Sequence, residues 1–381
     1  MEINPNKYKK YEINQDAIMR LKRCTKCLLP STMPFIDFDD KGVCNYCRSY
    51  QKHVLKGDSL LHDWANEQKR HSAKDNCLIS FSGGRDSSYS MHYAVKELGL
   101  KPVAFNYNWG MDTEEATANQ KRMCDALNVK LVQVEANIDK KLRNIRKNVE
   151  TWIKKPDIGM VPIFMAGDKL FFYHVNKIKN ELHLDSILMA DNPFEKTYFK
   201  SAYCGAKPSI LRQETENGVE FLSKSGIFKM GMHYLRQFIK NPSYINSSIW
   251  DTAKAALSYY FIPHEYLRLF QYIEWNEHLI EDVLINEYGW KCNPHTKSTW
   301  RIGDGTSGFY NYIYYHVTGF TENDTLRSNQ IREGQMTREE ALSRCFQDNQ
   351  PNFDMIEWYC NRIHVDFATV MTKIKSIKPM Y

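Results

Sequence analysis

Residues 77–87 read Cys77-Leu78-Ile79-Ser80-Phe81-Ser82-Gly83-Gly84-Arg85-Asp86-Ser87. The apolar run 77–81 predicts a buried strand, and the spacing over 87–98 predicts a helix directly after it. Adjacent glycines let the backbone approach a ligand without interference from a Cβ, and the start of a helix presents unpaired N–H groups to an anion. Ser82, Gly83, Gly84, Arg85, Asp86 and Ser87 are therefore expected to cradle the phosphates of a nucleotide, with hydroxyl donors from Ser82 and Ser87. Asp86 suits the Mg2+ that travels with such a ligand. Ser-Gly-Gly is also a common turn. What selects the nucleotide reading is its place between strand and helix, with Asp86 and Ser87 opening the helix.

Outward from this loop the pattern alternates. Strands are predicted over 103–107, 130–134 and 186–190, and helices over 113–127 and 164–182, with Asp112 and Glu115 spaced as a capping box. Alternation of this kind implies parallel βαβ units: an α/β protein with a doubly wound parallel sheet, whose ligands bind beyond the carboxyl ends of the strands. After about residue 193 the texture becomes aromatic-rich and mostly helical, with helices expected over 234–240, 266–288 and 337–347. Three regions follow: 1–55, a small metal-held module; 56–200, the nucleotide-binding domain; and 201–381, a mostly helical substrate or partner region.

The first region rests on cysteines. Cys24 and Cys27 form one C-x-x-C pair and Cys44 and Cys47 a second, in a stretch too poor in apolar residues to build its own core. Four thiolates at that spacing suit structural Zn2+; an iron–sulfur cluster accepts the same set. The other six of the ten cysteines are isolated and read as small core residues. With 381 residues, 43% hydrophobic and 25% charged, the chain can bury a sizeable core, and no apolar run is long enough to span a bilayer. The polar, Lys-rich first residues do not read as a secretory signal, so a cytoplasmic setting is expected. A net charge of +6 spread along the chain does not demand nucleic acid. Gly303-x-Gly305-x-x-Gly308 has the spacing of a dinucleotide fingerprint, but residues 291–301 before it do not read as a strand, so a flexible loop is expected.

Ser82 to Ser87 matches the S-G-G-x-D-S signature of the PP-loop ATP pyrophosphatases, and the Walker A pattern of kinases and motor ATPases occurs nowhere. The whole chain further resembles the N-acetyl sugar amidotransferases of bacterial surface-glycan pathways. The resemblance lies in residues 24–34, residues 42–47, the PP-loop, Asp191-Asn192-Pro193-Phe194-Glu195, and residues 327–342 with Ile331-Arg332-Glu333-Gly334 and Thr337-Arg338-Glu339-Glu340. It implies ATP and Mg2+ as cofactors and adenylylation of an acetamido oxygen on a nucleotide-activated sugar. Ammonia would then displace AMP to leave an acetamidino group. Asp86, Ser87 and Arg332 would be catalytic, and Asp191, Asn192 and Glu195 would bind substrate. Asp191 could equally cap a helix or turn, and Glu195 and Arg332 could sit in structural ion pairs. Glu2 stands where an N-terminal-nucleophile glutaminase needs cysteine, and no Gly-x-Cys-x-Gly elbow is present, so ammonia is expected from a separate glutaminase with a cyclase-like barrel subunit. The competing readings are a tRNA-modifying PP-loop enzyme, which would concentrate basic residues on one face, and a non-catalytic binding module built on the cysteines.

Overall fold

The computed structural model describes residues 7–72, 74–212, 222–262, 265–293 and 298–381; Glu2 and residues 294–297 of the stretch 291–301 lie outside them. Five strands form one sheet in the order β3-β2-β1-β4-β5: β1 Leu78–Ser80, β2 Val103–Asn108, β3 Lys130–Glu135, β4 Ile187–Met189 and β5 Leu267–Arg268. Every pairing is parallel. Side chains alternate across it. Leu78, Val103, Phe105 and Ile187 join one buried cluster, while Ile79, Ala104 and Leu188 join the other. A sheet buried on both faces needs helices on both, which is the doubly wound arrangement expected from the alternation.

Helices Arg85–Lys96, Glu114–Leu127 and Glu277–Tyr288 pack together, and helices Ile138–Trp152 and Ile249–Phe261 pack around the turn-rich segment Ile158–Leu170. The C-terminal region is helical, from Ser307–Thr318 to Phe367–Lys375. Its buried residues share one core with the sheet and with the cysteine segment: Tyr314 and Tyr359 stand in the same cluster as Phe105, Cys24 and Tyr46. The chain runs β1, β2, β3 toward one edge and returns to place β4 on the other side of β1. The crevice between the carboxyl ends of β1 and β4 is thus the topological switch point, where such sheets take ligands.

Three local expectations are corrected. Helix Glu114–Leu127 is capped by Thr113, which accepts from Ala116 N at 3.2 Å, so Asp112 is no capping residue. Residues 164–182 are not one helix: tight turns run over Ile158–Leu170, with Pro162 inside, before the helix Phe171–Glu181. Gly167 inside the stretch is a poor helix former, and its backbone lies close against the Trp109 ring. Residues 266–288 likewise begin with β5 and a short turn, and the helix starts at Glu277 behind an Asn276 cap. A two-residue edge strand is too short to leave a periodic trace.

A candidate nucleotide site at the switch point

The loop after β1 is held from outside. Gly83 sits at φ +76°, and a Cβ there would lie 2.2 Å from the Ala116 carbonyl oxygen, so only glycine fits. Gln120 Nε2 donates to Ser82 O at 3.0 Å and Trp290 Nε1 to Gly83 O at 3.1 Å. Both carbonyls are thereby turned away from the cleft, leaving donors to face it. Gly84 is the N-cap of helix Arg85–Lys96, and Ser88 N makes the first bond back to Gly84 O. The amides of Arg85, Asp86 and Ser87 therefore have no acceptor within the helix. Ser82 Oγ and Ser87 Oγ lie 3.1 Å apart at the same end.

Asp86 is held at both carboxylate oxygens. Oδ1 accepts from Trp275 Nε1 at 2.9 Å and from Arg85 Nε at 3.0 Å, and Oδ2 accepts from Asn192 Nδ2 at 3.4 Å. Arg85 points beneath the loop, where it donates to Glu277 at 2.7 Å and Thr299 Oγ1 at 2.8 Å and stacks over Trp275. Its Nη2 is buried with no hydrogen-bond partner. Glu277 also pairs with Arg327. Burial raises the Glu277 pKa, but the two guanidiniums more than offset this and hold its carboxyl down to about 2.

The loop lines a cleft of about 380 Å³, within the range of roughly 300–1,000 Å³ typical of ligand sites. Ser82, Gly84, Arg85, Asp86, Ser87, Asp191, Asn192 and Glu195 all border it. Asn192 is buried and touches Asp86, whereas Asp191 pairs with Arg268 of β5 at 2.8 Å. Glu195 accepts from Trp300 Nε1 and lies 3.5 Å from Arg301. Burial pushes its carboxyl up to about 7 against the pull of Arg301. The far wall carries Asp112, Asp168 and Asp304; one oxygen each of Asp112 and Asp168 is buried without a hydrogen-bond partner. Burial, with Asp304 nearby, pushes Asp112 up to about 6. A wall of under-satisfied acceptors suits a ligand that brings its own donors.

Arg332 lies elsewhere. It is buried against the cysteines, donating from Nε to Cys47 Sγ at 3.3 Å and from Nη2 to Cys27 Sγ at 3.2 Å. The four sulfurs of Cys24, Cys27, Cys44 and Cys47 lie within 4.8 Å of one another, all in buried residues. Cys24–Cys47 at 3.9 Å and Cys27–Cys44 at 3.8 Å match the ~3.8 Å edges of a tetrahedron with metal–sulfur arms of ~2.3 Å. The set fits one tetrahedral ion such as zinc; a cubane cluster would hold its sulfurs farther apart. Lys26, Cys27 and Cys44 amides point at Cys24 Sγ, as backbone donors do around metal-bound thiolates.

The Gly303-x-Gly305 spacing apart, residues 299–304, Trp275 and Glu277 carry no sequence pattern that marks them as binding residues. Its glycines serve close packing: Gly303 lies against the Ser82 carbonyl, and Gly305 admits the Trp358 ring.

No protein-family model matches the chain, and no curated protein matches it in sequence. Among solved structures it is similar to the NMN synthetase from Francisella tularensis, at 14% identity and TM-score 0.33 over 91% of this chain and 100% of that one. It is also similar to the NH3-dependent NAD synthetase from Campylobacter jejuni, at 14% identity and TM-score 0.25 over 52% of this chain and 93% of that one.

Proposed function

We propose that the chain is an ATP-dependent, AMP-forming amidotransferase that converts an acetamido group of a nucleotide-activated sugar to acetamidino. The observation that carries the reading is convergence at the β1/β4 crevice. The free amides of helix Arg85–Lys96, an Asp86 held at both oxygens, and Asn192 and Glu195 from the segment after β4 border one cleft.

The chemistry follows from what these groups can do. The amides of Arg85, Asp86 and Ser87, with the Ser82 and Ser87 hydroxyls, bind the β- and γ-phosphates and leave the α-phosphorus toward the cleft. Asp86 would hold Mg2+, which supplies positive charge to the pyrophosphate as it departs. The amide oxygen attacks the α-phosphorus, the α–β bridge breaks, and pyrophosphate leaves. Ammonia then adds to the imidate carbon, the carbon–oxygen bond breaks, and the oxygen departs on AMP. The preorganised donors are most valuable where negative charge develops on the phosphates. The unpaired acceptors of Asp112 and Asp168 would receive hydroxyl or ammonium donors of the second substrate.

By its sequence resemblance the chain would serve surface-polysaccharide synthesis, in the cytoplasm expected from its polar first residues. A glutaminase and a cyclase-like barrel subunit would deliver ammonia, and Zn2+ would occupy the cysteine centre. Purified protein incubated with ATP, Mg2+, ammonium and candidate N-acetylated sugar nucleotides is expected to yield a product in which NH replaces O, read by high-resolution mass spectrometry. Turnover stimulated by tRNA and not by any sugar nucleotide would replace this reading with a tRNA-modifying one. Burial pushes the thiols of Cys77 and Cys124 up to about 12 and about 11, which ill suits them to sulfur transfer.

A further inference from the structure

We propose that the four-cysteine centre positions Asp86 through a buried hydrogen-bonded chain in which Arg332, Asn329 and Asn192 are the positioning residues. The effect on ATP rests on the reading of Ser82–Ser87 as the ATP loop; the chain itself does not.

The chain can be followed bond by bond. Arg332 donates to Cys27 and Cys47 with one edge of its guanidinium and, from Nη1, to Asn329 Oδ1 at 2.6 Å. Asn329 Nδ2 donates to Phe194 O at 2.9 Å, and Phe194 N donates to Asn192 Oδ1 at 2.9 Å. Asn192 Nδ2 reaches Asp86 Oδ2 at 3.4 Å. Arg332, Asn329, Phe194 and Asn192 are all buried, so the chain is shielded from water up to its last link, which opens on the cleft. A second arm leaves the same helix end: Gln335 Nε2 donates to Trp275 O at 2.7 Å, and Trp275 Nε1 donates to the other oxygen of Asp86. Phe194 and Trp275 meet edge to face with ring centres 5.4 Å apart, which ties the two arms together.

Helix Glu322–Glu333 is fixed to the cysteine segment by more than Arg332. Ser328 Oγ accepts from Leu28 N at 3.1 Å and Glu333 accepts from Tyr50 and from His53 N; from the next helix, Arg338–Asp348, Arg338 donates to the carbonyls of Cys24 and Cys27. Among the described residues no carboxylate pairs with Arg332. Four thiolates on a divalent ion carry net negative charge and supply the counter-charge that a buried guanidinium needs. Metal at one end thus fixes Arg332, and the asparagines carry that order to the loop.

Asn329→Asp is the discriminating variant: it keeps the acceptor for Arg332 and loses the donor to Phe194 O. Metal content by mass spectrometry should stay at the wild-type value. In nucleotide-free protein, amide hydrogen exchange should rise in peptides covering residues 190–196 and 82–90. Affinity for Mg–ATP should fall about tenfold, while ATP without Mg2+ binds with little change, a split that general loosening of the fold would not give. Asn192→Ser, which cuts the chain one link later, should reproduce the pattern and serves if Asn329→Asp does not fold. Unchanged exchange in both peptides overturns the proposal. Wild-type protein that fails to bind ATP would instead refute the reading of the loop, with the exchange result still deciding the chain.

Discussion

Gly83 and Gly84 are adjacent and chemically identical, yet replacing each by alanine should have different consequences. At Gly83 the left-handed backbone costs an alanine about 1–2 kcal/mol. Its Cβ would also stand 2.2 Å from a backbone oxygen of helix Glu114–Leu127 and 2.9 Å from Gln120 Cγ, where contact distances near 3.5 Å are needed. Loop and helix must separate by about 1 Å, an overpacking that costs about 1–3 kcal/mol. Gly83→Ala should therefore destabilise the protein by about 2–5 kcal/mol. Gly84 has φ −72°, and its Cβ would meet only Ser82 Oγ, at 3.2 Å. An ordinary φ lets alanine gain about 0.4–1 kcal/mol from the unfolded chain, set against a weaker N-cap, so stability should change by less than about 1 kcal/mol. Its methyl stands at the cleft, and ATP affinity should fall at least about tenfold. Urea unfolding followed by tryptophan fluorescence and calorimetric ATP titration read the two effects. Equal destabilisation by both variants, or a neutral Gly83→Ala, would refute the loop geometry.

Glu195→Gln tests the cleft's electrostatics. A carboxyl whose pKa is raised from its ordinary 4.5 to about 7 keeps its proton in the folded state while the unfolded chain loses it, so wild-type stability falls as pH rises from about 4.5 to about 7. The glutamine variant lacks that slope, and the gap between the two melting curves should widen in its favour across this window; parallel profiles would count against a Glu195 that keeps its proton in the folded state. Glu277→Gln leaves Arg85 and Arg327 short of their shared carboxylate and should cost about 3–5 kcal/mol in urea unfolding. A loss under about 1 kcal/mol would mean the network is not closed to water. Cys27→Ser or removal of the metal should lower the melting temperature by several degrees and expose the N-terminal segment to protease; an unchanged digestion pattern would show that the segment needs no ion.

Strands β1, β2 and β4 were legible as short, largely apolar runs bounded by turns and β3 as an alternating one, and β1 leads into a loop whose residue types have a chemical reason to occur together. β5 was not, since two residues carry no period. The cysteine set was legible from spacing alone, since a tetrahedral ion needs little else. Asn192 and Glu195 were placed at the cleft by resemblance, and the structure brings both to Asp86's neighbourhood. Arg332, taken from the same resemblance as catalytic, stands against the sulfurs because helix Glu322–Glu333 docks on the cysteine segment, a contact between residues some 300 positions apart. Contacts across 189 and 214 positions bring Trp275 and Thr299 to the loop, and no local pattern announces them.

In the proposed reaction the Ser82–Ser87 loop grips the polyphosphate so that ATP is cut between its α- and β-phosphates. Phosphorus NMR of protein, Mg–ATP, ammonium and an N-acetylated sugar nucleotide tests it most directly. Equal amounts of AMP and pyrophosphate, absent with Asp86→Ala, are predicted; ADP and orthophosphate would contradict it.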